Sequence, residues 1–184
     1  MMLILIGKCA AGKDTIAAEL LKRGFKPLIS HTSRPMREGE VDGREYHFVS
    51  SKEFEDLIEN GRMLEYREYH TTVNGVPDKW YYGLSKQPLE PDVNYVTVVD
   101  TLGARELLAY YGRDIPKVVE VRTDDNIRKR RAITRGSFDE TEWDRRFADD
   151  VIRFSEKETK PLVNDIAFNN GTISETMEQI ERIL

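Results

Sequence analysis

Short apolar runs punctuate this chain, and stretches with helix-spaced apolar residues separate them. The runs fall at 2–6, 26–30, 95–99, 117–122 and 165–168, the first being Met2-Leu3-Ile4-Leu5-Ile6. Runs this short, β-branched and aliphatic at their centres, predict strands. Between them apolar residues return at helical spacing, as at Ile16, Leu20 and Leu21, and predict helices over 13–23, 102–111, 125–134, 140–156 and 173–183. Asp139-x-x-Glu142 marks one of these helix starts by charge. Strand and helix in alternation predict an α/β fold, a parallel sheet in the middle of three layers.

The region 44–85 breaks that rhythm. Short strands are predicted at 45–49, 62–69 and 79–83, with a helix over 51–59 behind the capping box Ser50-x-x-Glu53. Asn74-Gly75 stands between two of those strands and signals a tight hairpin turn. A small mixed-β region is thus inserted into the α/β core. The 184 residues read as one domain, with a core over about 1–30 and 90–184, an insertion over about 31–89, and a lid over about 125–150 within the core.

Composition narrows the possible functions. With 33% charged and 39% apolar residues the chain has the balance of a globular protein rather than a disordered one. A net charge of −5 argues against a general nucleic-acid surface, which needs a basic excess to displace counterions. Local arginine clusters suit compact polyphosphates instead. The single cysteine excludes an internal disulfide framework and suits a reducing compartment. No run approaches membrane-spanning length, and the N-terminal run is short and lacks a basic leader. The expectation is a cytoplasmic protein with no membrane partner.

Gly7-Lys8-Cys9-Ala10-Ala11-Gly12-Lys13 fits Gly-x-x-x-x-Gly-Lys, directly after the first apolar run and directly before a helix. In such a loop glycines let backbone N–H groups point inward, the helix N-terminus adds partial positive charge, and the lysine reaches the outer phosphates of a nucleotide. The plain alternative is a glycine turn with a solvated lysine. Asp14 follows where a Ser or Thr usually ligates Mg²⁺, and Thr15 brings a hydroxyl one position later. Cys9, inside the loop, reads as a small filler.

Two further basic clusters stand out. Ser30-His31-Thr32-Ser33-Arg34-Pro35-Met36-Arg37 sets two guanidinium forks three residues apart beside a rigid proline, an arrangement suited to phosphate oxygens. Arg128, Lys129, Arg130, Arg131 and Arg135 crowd one helix and its exit, and of these Arg128 and Lys129 read as a solvated face. The histidines His31, His47 and His70 are too scattered to argue a metal site, and His47 reads as structural.

Taken in order, these motifs resemble the guanylate kinase family. The phosphate loop is followed by Ser30-x-x-x-Arg34-x-x-Arg37 and by Gly39-Glu40-x-x-Gly43-x-x-Tyr46-x-Phe48. Met63-Leu64-Glu65-Tyr66, Tyr81-Tyr82-Gly83, Arg131-x-x-x-Arg135-Gly136, Arg145-Arg146 and Asn169-Asn170 complete a likeness that spans nearly the whole chain. The resemblance implies a P-loop kinase fold with a helical lid, ATP as phosphoryl donor with Mg²⁺, and GMP or dGMP as acceptor.

It also implies roles residue by residue. Arg34, Arg37, Tyr46 and Tyr82 would hold the acceptor's phosphate. Glu65 would accept from the guanine N1–H and N2 amine, with Ser30 beside it, whereas pattern alone reads Glu65 as an outward charge on an exposed strand. Gly7, Ala10, Ala11, Gly12, Lys13, Asp14, Thr15, Arg131, Asn169 and Asn170 would bind ATP, and Lys13, Arg37, Arg135 and Arg146 would act in the transfer. Asp100, at the end of the run 95–99, would be an acceptor-site carboxylate and, with Asp14, a ligand for Mg²⁺; its plain alternative is a helix N-cap.

The chain departs from the family at Leu84, where a Ser or Thr is usual, at Val98, where an acidic residue is usual, and in a longer stretch over 66–81. These departures fall on the acceptor side. They leave open a kinase for another (deoxy)nucleoside monophosphate or a phosphorylated sugar. A non-catalytic guanylate-kinase-like binding module is a third reading, against which Lys13, Arg135 and Arg146 argue, since such modules typically lose them.

Overall fold

The computed structural model describes residues 1–73, 76–134, 136 and 138–184, the strand residues 71–73 and 76–77 through their backbone alone. The expected turn at Asn74-Gly75, and Arg135 at the lid, lie outside the described residues. In chain order the first elements are β1 (Met2–Ile6), α1 (Lys13–Lys22), β2 (Lys26–Pro27), β3 (His31–Thr32), β4 (His47–Phe48) and α2 (Ser51–Glu59). A long pair follows, β5 (Met63–Val73) and β6 (Val76–Ser85), then β7 (Tyr95–Val98), α3 (Thr101–Tyr111) and β8 (Pro116–Arg122). The chain ends with α4 (Asp125–Thr134), α5 (Glu140–Arg153), α6 (Glu156–Thr159), β9 (Asp165–Phe168) and α7 (Ile173–Ile183). Among the described residues no helix is long and apolar enough to cross a membrane.

These elements form two compact units, Met1–Lys26 with Asp92–Leu184, and Pro27–Pro91. The first is built on a five-stranded sheet in the order β2-β7-β1-β8-β9. β1 runs parallel to both neighbours, with Leu3 opposite Val96 on one side and Lys117 on the other. All five of its residues are buried, which is why its sequence is apolar without alternation. Leu3, Leu5, Val119 and Val121 pack with Ile16 and Leu20 of α1 and Met177 and Ile180 of α7, while α3 packs on β1 and β8.

Several predicted boundaries shift: the strand expected at 45–49 shortens to His47–Phe48, while those expected at 62–69 and 79–83 lengthen to Met63–Val73 and Val76–Ser85. The strand expected at 26–30 ends at Pro27, whose missing N–H withdraws a ladder donor, and the chain re-forms a strand only at His31 in the other sheet. The helix expected to run to 156 ends at Arg153, because Phe154 (φ −107°, ψ 24°) leaves helical geometry and Ser155 opens the short α6.

The second unit is a four-stranded sheet in the order β4-β3-β6-β5, carrying α2. β3 was not foreseen, since two residues carry no periodicity. It pairs parallel with β4 and antiparallel with β6, placing Thr32 opposite Tyr82. The predicted capping box at α2 is present: the Ser50 hydroxyl accepts from Glu53 N–H, and the Glu53 carboxylate accepts from Ser50 N–H at 2.7 Å. Phe54 of α2 is fully buried against Met63 and Tyr81, with the Phe54 and Tyr81 rings stacked at 5.0 Å. That contact fixes the face of the β5–β6 hairpin that turns inward.

Candidate active site

The phosphate loop joins β1 to α1. Gly12 sits at the N-cap with φ 91°, so α1 begins with no side chain covering its first N–H groups. A Cβ there would collide with the Asn169 amide. Ala10 is also left-handed, at φ 58°. The Ala11 carbonyl accepts from Asn169 Nδ2 at 2.8 Å, Thr123 Oγ1 at 3.0 Å and Arg131 Nη1 at 3.4 Å. Because the peptide is planar and trans, the Gly12 N–H points the opposite way. Lys13 folds back under the loop, its Nζ donating to Gly7 O at 2.7 Å and Lys8 O at 3.1 Å. Burial lowers its pKa from the ordinary lysine value, opposed by nearby Asp14.

The lid helices grip this loop through a residue expected to be solvated. Arg128 is wholly buried. Its guanidinium pairs with Asp150 of α5, binds Asp125 at 2.7 Å and donates from Nε to Cys9 O at 2.8 Å. It also lies 5.6 Å from the Trp143 ring and 5.8 Å from the Phe147 ring. Asp150 in turn accepts from the Cys9 N–H at 2.9 Å. The solvated-face reading of Arg128 is therefore corrected, because tertiary carboxylates and aromatic faces satisfy a charge that helical spacing alone placed outside. Lys129 is half-buried, pairs with Glu140 at 3.3 Å and lies 6.0 Å from the Phe138 ring.

Arg146 donates to Glu142 at 2.6 Å and reaches Cys9 Sγ at 3.8 Å. Glu142 also takes both Nε and Nη2 of Arg145, and the two arginines hold its carboxyl down to about 2. Thr15, Ile127, Arg131, Thr134, Asn169 and Ile173 line a cavity of about 540 Å³ beside the loop. Asn169 is buried there, its amide spent on Ala11 O and its Oδ1 accepting from Thr176. Asn170 is exposed and accepts from Asp124 N–H at 2.9 Å.

In the second unit Arg34 is buried, although arginine rarely is. Nη2 binds Glu40 at 2.7 Å, Nη1 donates to Pro35 O at 2.7 Å, and the guanidinium lies 5.8 Å and 5.6 Å from the Tyr46 and Phe48 rings. Its pKa is raised by the hydrogen bond to Glu40 against the opposing effect of burial, with the Tyr82 phenol adding to the rise. Glu40 also accepts from Arg37 N–H at 2.7 Å, so one carboxylate spaces both arginines, while the Arg37 side chain is exposed. The sequence signal for Glu40 is its position three residues after Arg37, close enough for its carboxylate to reach back to the Arg37 N–H. Tyr46 and Tyr82 meet edge to face at 5.8 Å. Ser30, half-buried, holds His47 N–H through its carbonyl at 2.9 Å.

Glu65 is placed by a β-bulge. The ladder shifts register between Met63 and Glu65, so Met63 packs on Phe54 while Glu65 and Arg67 occupy the opposite face. The Glu65 side chain is only 10% exposed, which excludes an outward charge. One oxygen accepts from Leu84 N–H at 3.1 Å and the other lies 3.5 Å from Arg67 Nη1. Gly83 makes this closeness possible, since a Cβ there would run into the Glu65 carbonyl.

Asp100 takes the alternative role. It N-caps α3, accepting from Gly103 N–H at 2.7 Å, and its second oxygen pairs with Arg153 at 2.9 Å. Asp14 is exposed in the first turn of α1. Among the described residues no group of three His, Cys, Asp or Glu gathers to hold a metal.

A glycine loop that folds its lysine back onto its own carbonyls before a helix, at the end of a central parallel strand, defines the class of P-loop nucleotide-binding proteins. Residues 1–80 match the family model described as guanylate kinase. All of the chain aligns with the guanylate kinase of Lactiplantibacillus plantarum at 31% identity, covering 86% of that protein, and with that of Wolbachia pipientis at 28%, covering 89%. Its fold matches the crystal structure of guanylate kinase from Anaplasma phagocytophilum with a TM-score of 0.64 at 24% identity, covering 100% of this chain and 83% of that one. The chain belongs to the guanylate kinase family.

Proposed function

We propose that the chain transfers the γ-phosphoryl group of ATP to GMP or dGMP, giving ADP and GDP or dGDP. A phosphate oxygen of the acceptor attacks the γ-phosphorus while the bond from that phosphorus to the β–γ bridging oxygen breaks, and the electron pair leaves with ADP. The acceptor phosphate is already anionic, so no general base is needed. Catalysis then rests on positioning and charge neutralisation. Lys13 and the loop amides hold the ATP phosphates, with Thr15, Arg131 and Asn169 on the adjoining cavity. Arg34, Arg37, Tyr46 and Tyr82 hold the acceptor phosphate, and Arg135 and Arg146 close over the transferred group.

Mg²⁺ would ride mainly on phosphate and water oxygens, with the exposed Asp14 as protein ligand, and would neutralise phosphate charge. An open carboxylate beside the loop fits that donor set better than Asp100, whose oxygens serve Gly103 and Arg153. The family's chemistry and the lone cysteine support action in the cytoplasm.

The observation that carries the acceptor assignment is the inward-facing Glu65 carboxylate, its side chain 10% exposed, an acceptor suited to a base with two adjacent donors. Coupled ADP release, with ATP and Mg²⁺ against GMP, dGMP, AMP, dAMP, CMP, UMP and TMP, tests it. Turnover confined to GMP and dGMP is expected. Turnover spread over the other acceptors, or on none, would overturn the reading.

A further inference from the structure

Glu65 does not stand alone on its face of the hairpin. Arg67 follows two residues later on the same strand, so its side chain shares that face. Its Nη1 lies 3.5 Å from Glu65 Oε2 and donates to Tyr66 O at 2.6 Å, and the residue stands directly across the ladder from Tyr82. Its side chain is 25% exposed, so the guanidinium lies within the protein surface rather than in open solvent.

Resting on the guanylate reading above, we propose that Arg67 is a specificity-determining residue that donates to O6 of the acceptor guanine. A carboxylate with a guanidinium beside it presents an acceptor and then a donor. Guanine presents the complement on its edge, the N1–H donor and then the O6 acceptor. Adenine reverses both, offering an N1 acceptor and an N6 amine donor, so it leaves the carboxylate and the guanidinium facing groups of their own kind. Arginine is well suited to this task, because its fork matches guanine O6 and N7 and carries five N–H donors.

The same reading explains Leu84. Its side chain has no hydroxyl for the base, and its backbone N–H is given to Glu65 Oε1 at 3.1 Å. The donor that Leu84 lacks is supplied from across the ladder, where the bulge and the close approach at Gly83 bring β5 and β6 together.

The test compares GMP with 6-thio-GMP, which keeps N1–H and the 2-amine but replaces O6 by a weakly accepting sulfur. In the intact enzyme kcat/KM should favour GMP. Arg67→Met should lower kcat/KM for GMP about 10- to 100-fold and leave 6-thio-GMP nearly unchanged, collapsing the preference, with KM for ATP unaltered. Arg67→Lys, which retains a donor, should restore part of the preference and provides the same comparison if Arg67→Met does not fold. Equal losses on both acceptors would overturn the proposal, because a residue that only orients Glu65 or touches the phosphate cannot tell oxygen from sulfur. Failure of the unaltered enzyme to phosphorylate GMP would instead overturn the guanylate reading itself.

Discussion

Arg128 and Asp150 form a buried ion pair whose two members each bond Cys9 of the phosphate loop, Arg128 through the carbonyl at 2.8 Å and Asp150 through the N–H at 2.9 Å. The pair bridges α4 to α5 and fastens both to the loop's backbone. Removing one partner leaves the other charge uncompensated in the interior. Arg128→Leu should therefore cost about 3–5 kcal/mol. At roughly 2–4 °C per kcal/mol for a chain of this size, the melting temperature should fall by about 10 °C. The double variant Arg128→Leu/Asp150→Leu should recover part of that loss, since an apolar pair replaces the ions while the Cys9 N–H and carbonyl give up their side-chain partners. Thermal unfolding of the three proteins checks both statements, and a double variant no more stable than the single would refute the pairing argument.

Glu65→Gln converts the inward-facing acceptor into a group that also donates. The guanine N1–H or the 2-amine would then meet an amide that offers one oxygen instead of two. The expected result is a rise in KM for GMP of about 10- to 100-fold, with KM for ATP unchanged. Steady-state kinetics varying each substrate in turn separates the two. Equal loss for both would mean that Glu65 supports the fold rather than the base.

Much of this was legible in the sequence, and the exceptions have physical causes. The central strands were readable because burial on both faces leaves a continuous apolar run, as at Leu3-Ile4-Leu5. The phosphate loop was readable because few residues other than Gly tolerate the backbone at Gly12. Asp100 reads first as an acceptor-site or metal carboxylate, with the cap as the alternative; the cap is the role its Gly103 contact shows, since strand-end aspartates before a helix commonly accept from its first turn. Arg128 was not readable, because its partner Asp150 lies 22 residues away on another helix and no local spacing reports the pairing. The side on which Glu65 stands was hidden for a similar reason. Strict alternation from Met63 would put both residues on the α2 face, and only the register shift between them separates the two.

Lys13→Met removes the one charge that the loop seats beneath its own carbonyls. Its ammonium bonds the loop carbonyls of Gly7 and Lys8 rather than a core side chain, so far-ultraviolet circular dichroism and the melting temperature should change little. The kcat should fall on the order of 10²–10³-fold, the scale for loss of one donor aimed at developing charge. A variant that retained kcat would place Lys13 outside the transfer.

Acid should expose the Glu142 cluster. Arg145 and Arg146 hold the Glu142 carboxyl at about 2 against an ordinary value of 4.5. A depressed carboxyl pKa means that the folded protein releases the proton more readily than the unfolded chain, so the stabilisation is fully present above about 4.5 and is lost as pH falls towards 2. Its size is reduced by solvent, because the side chain is 42% exposed. Urea unfolding of the unaltered chain and Glu142→Gln should therefore differ by a constant amount from pH 7 to about pH 5, and the difference should shrink steadily below about 4.5 and close towards pH 2. Added salt at pH 7 should shrink the same gap, since screening acts on exposed pairs. A gap that persisted undiminished at pH 2.5 would show that Glu142 contributes through packing, and that the two arginines do not depend on its charge for their positions.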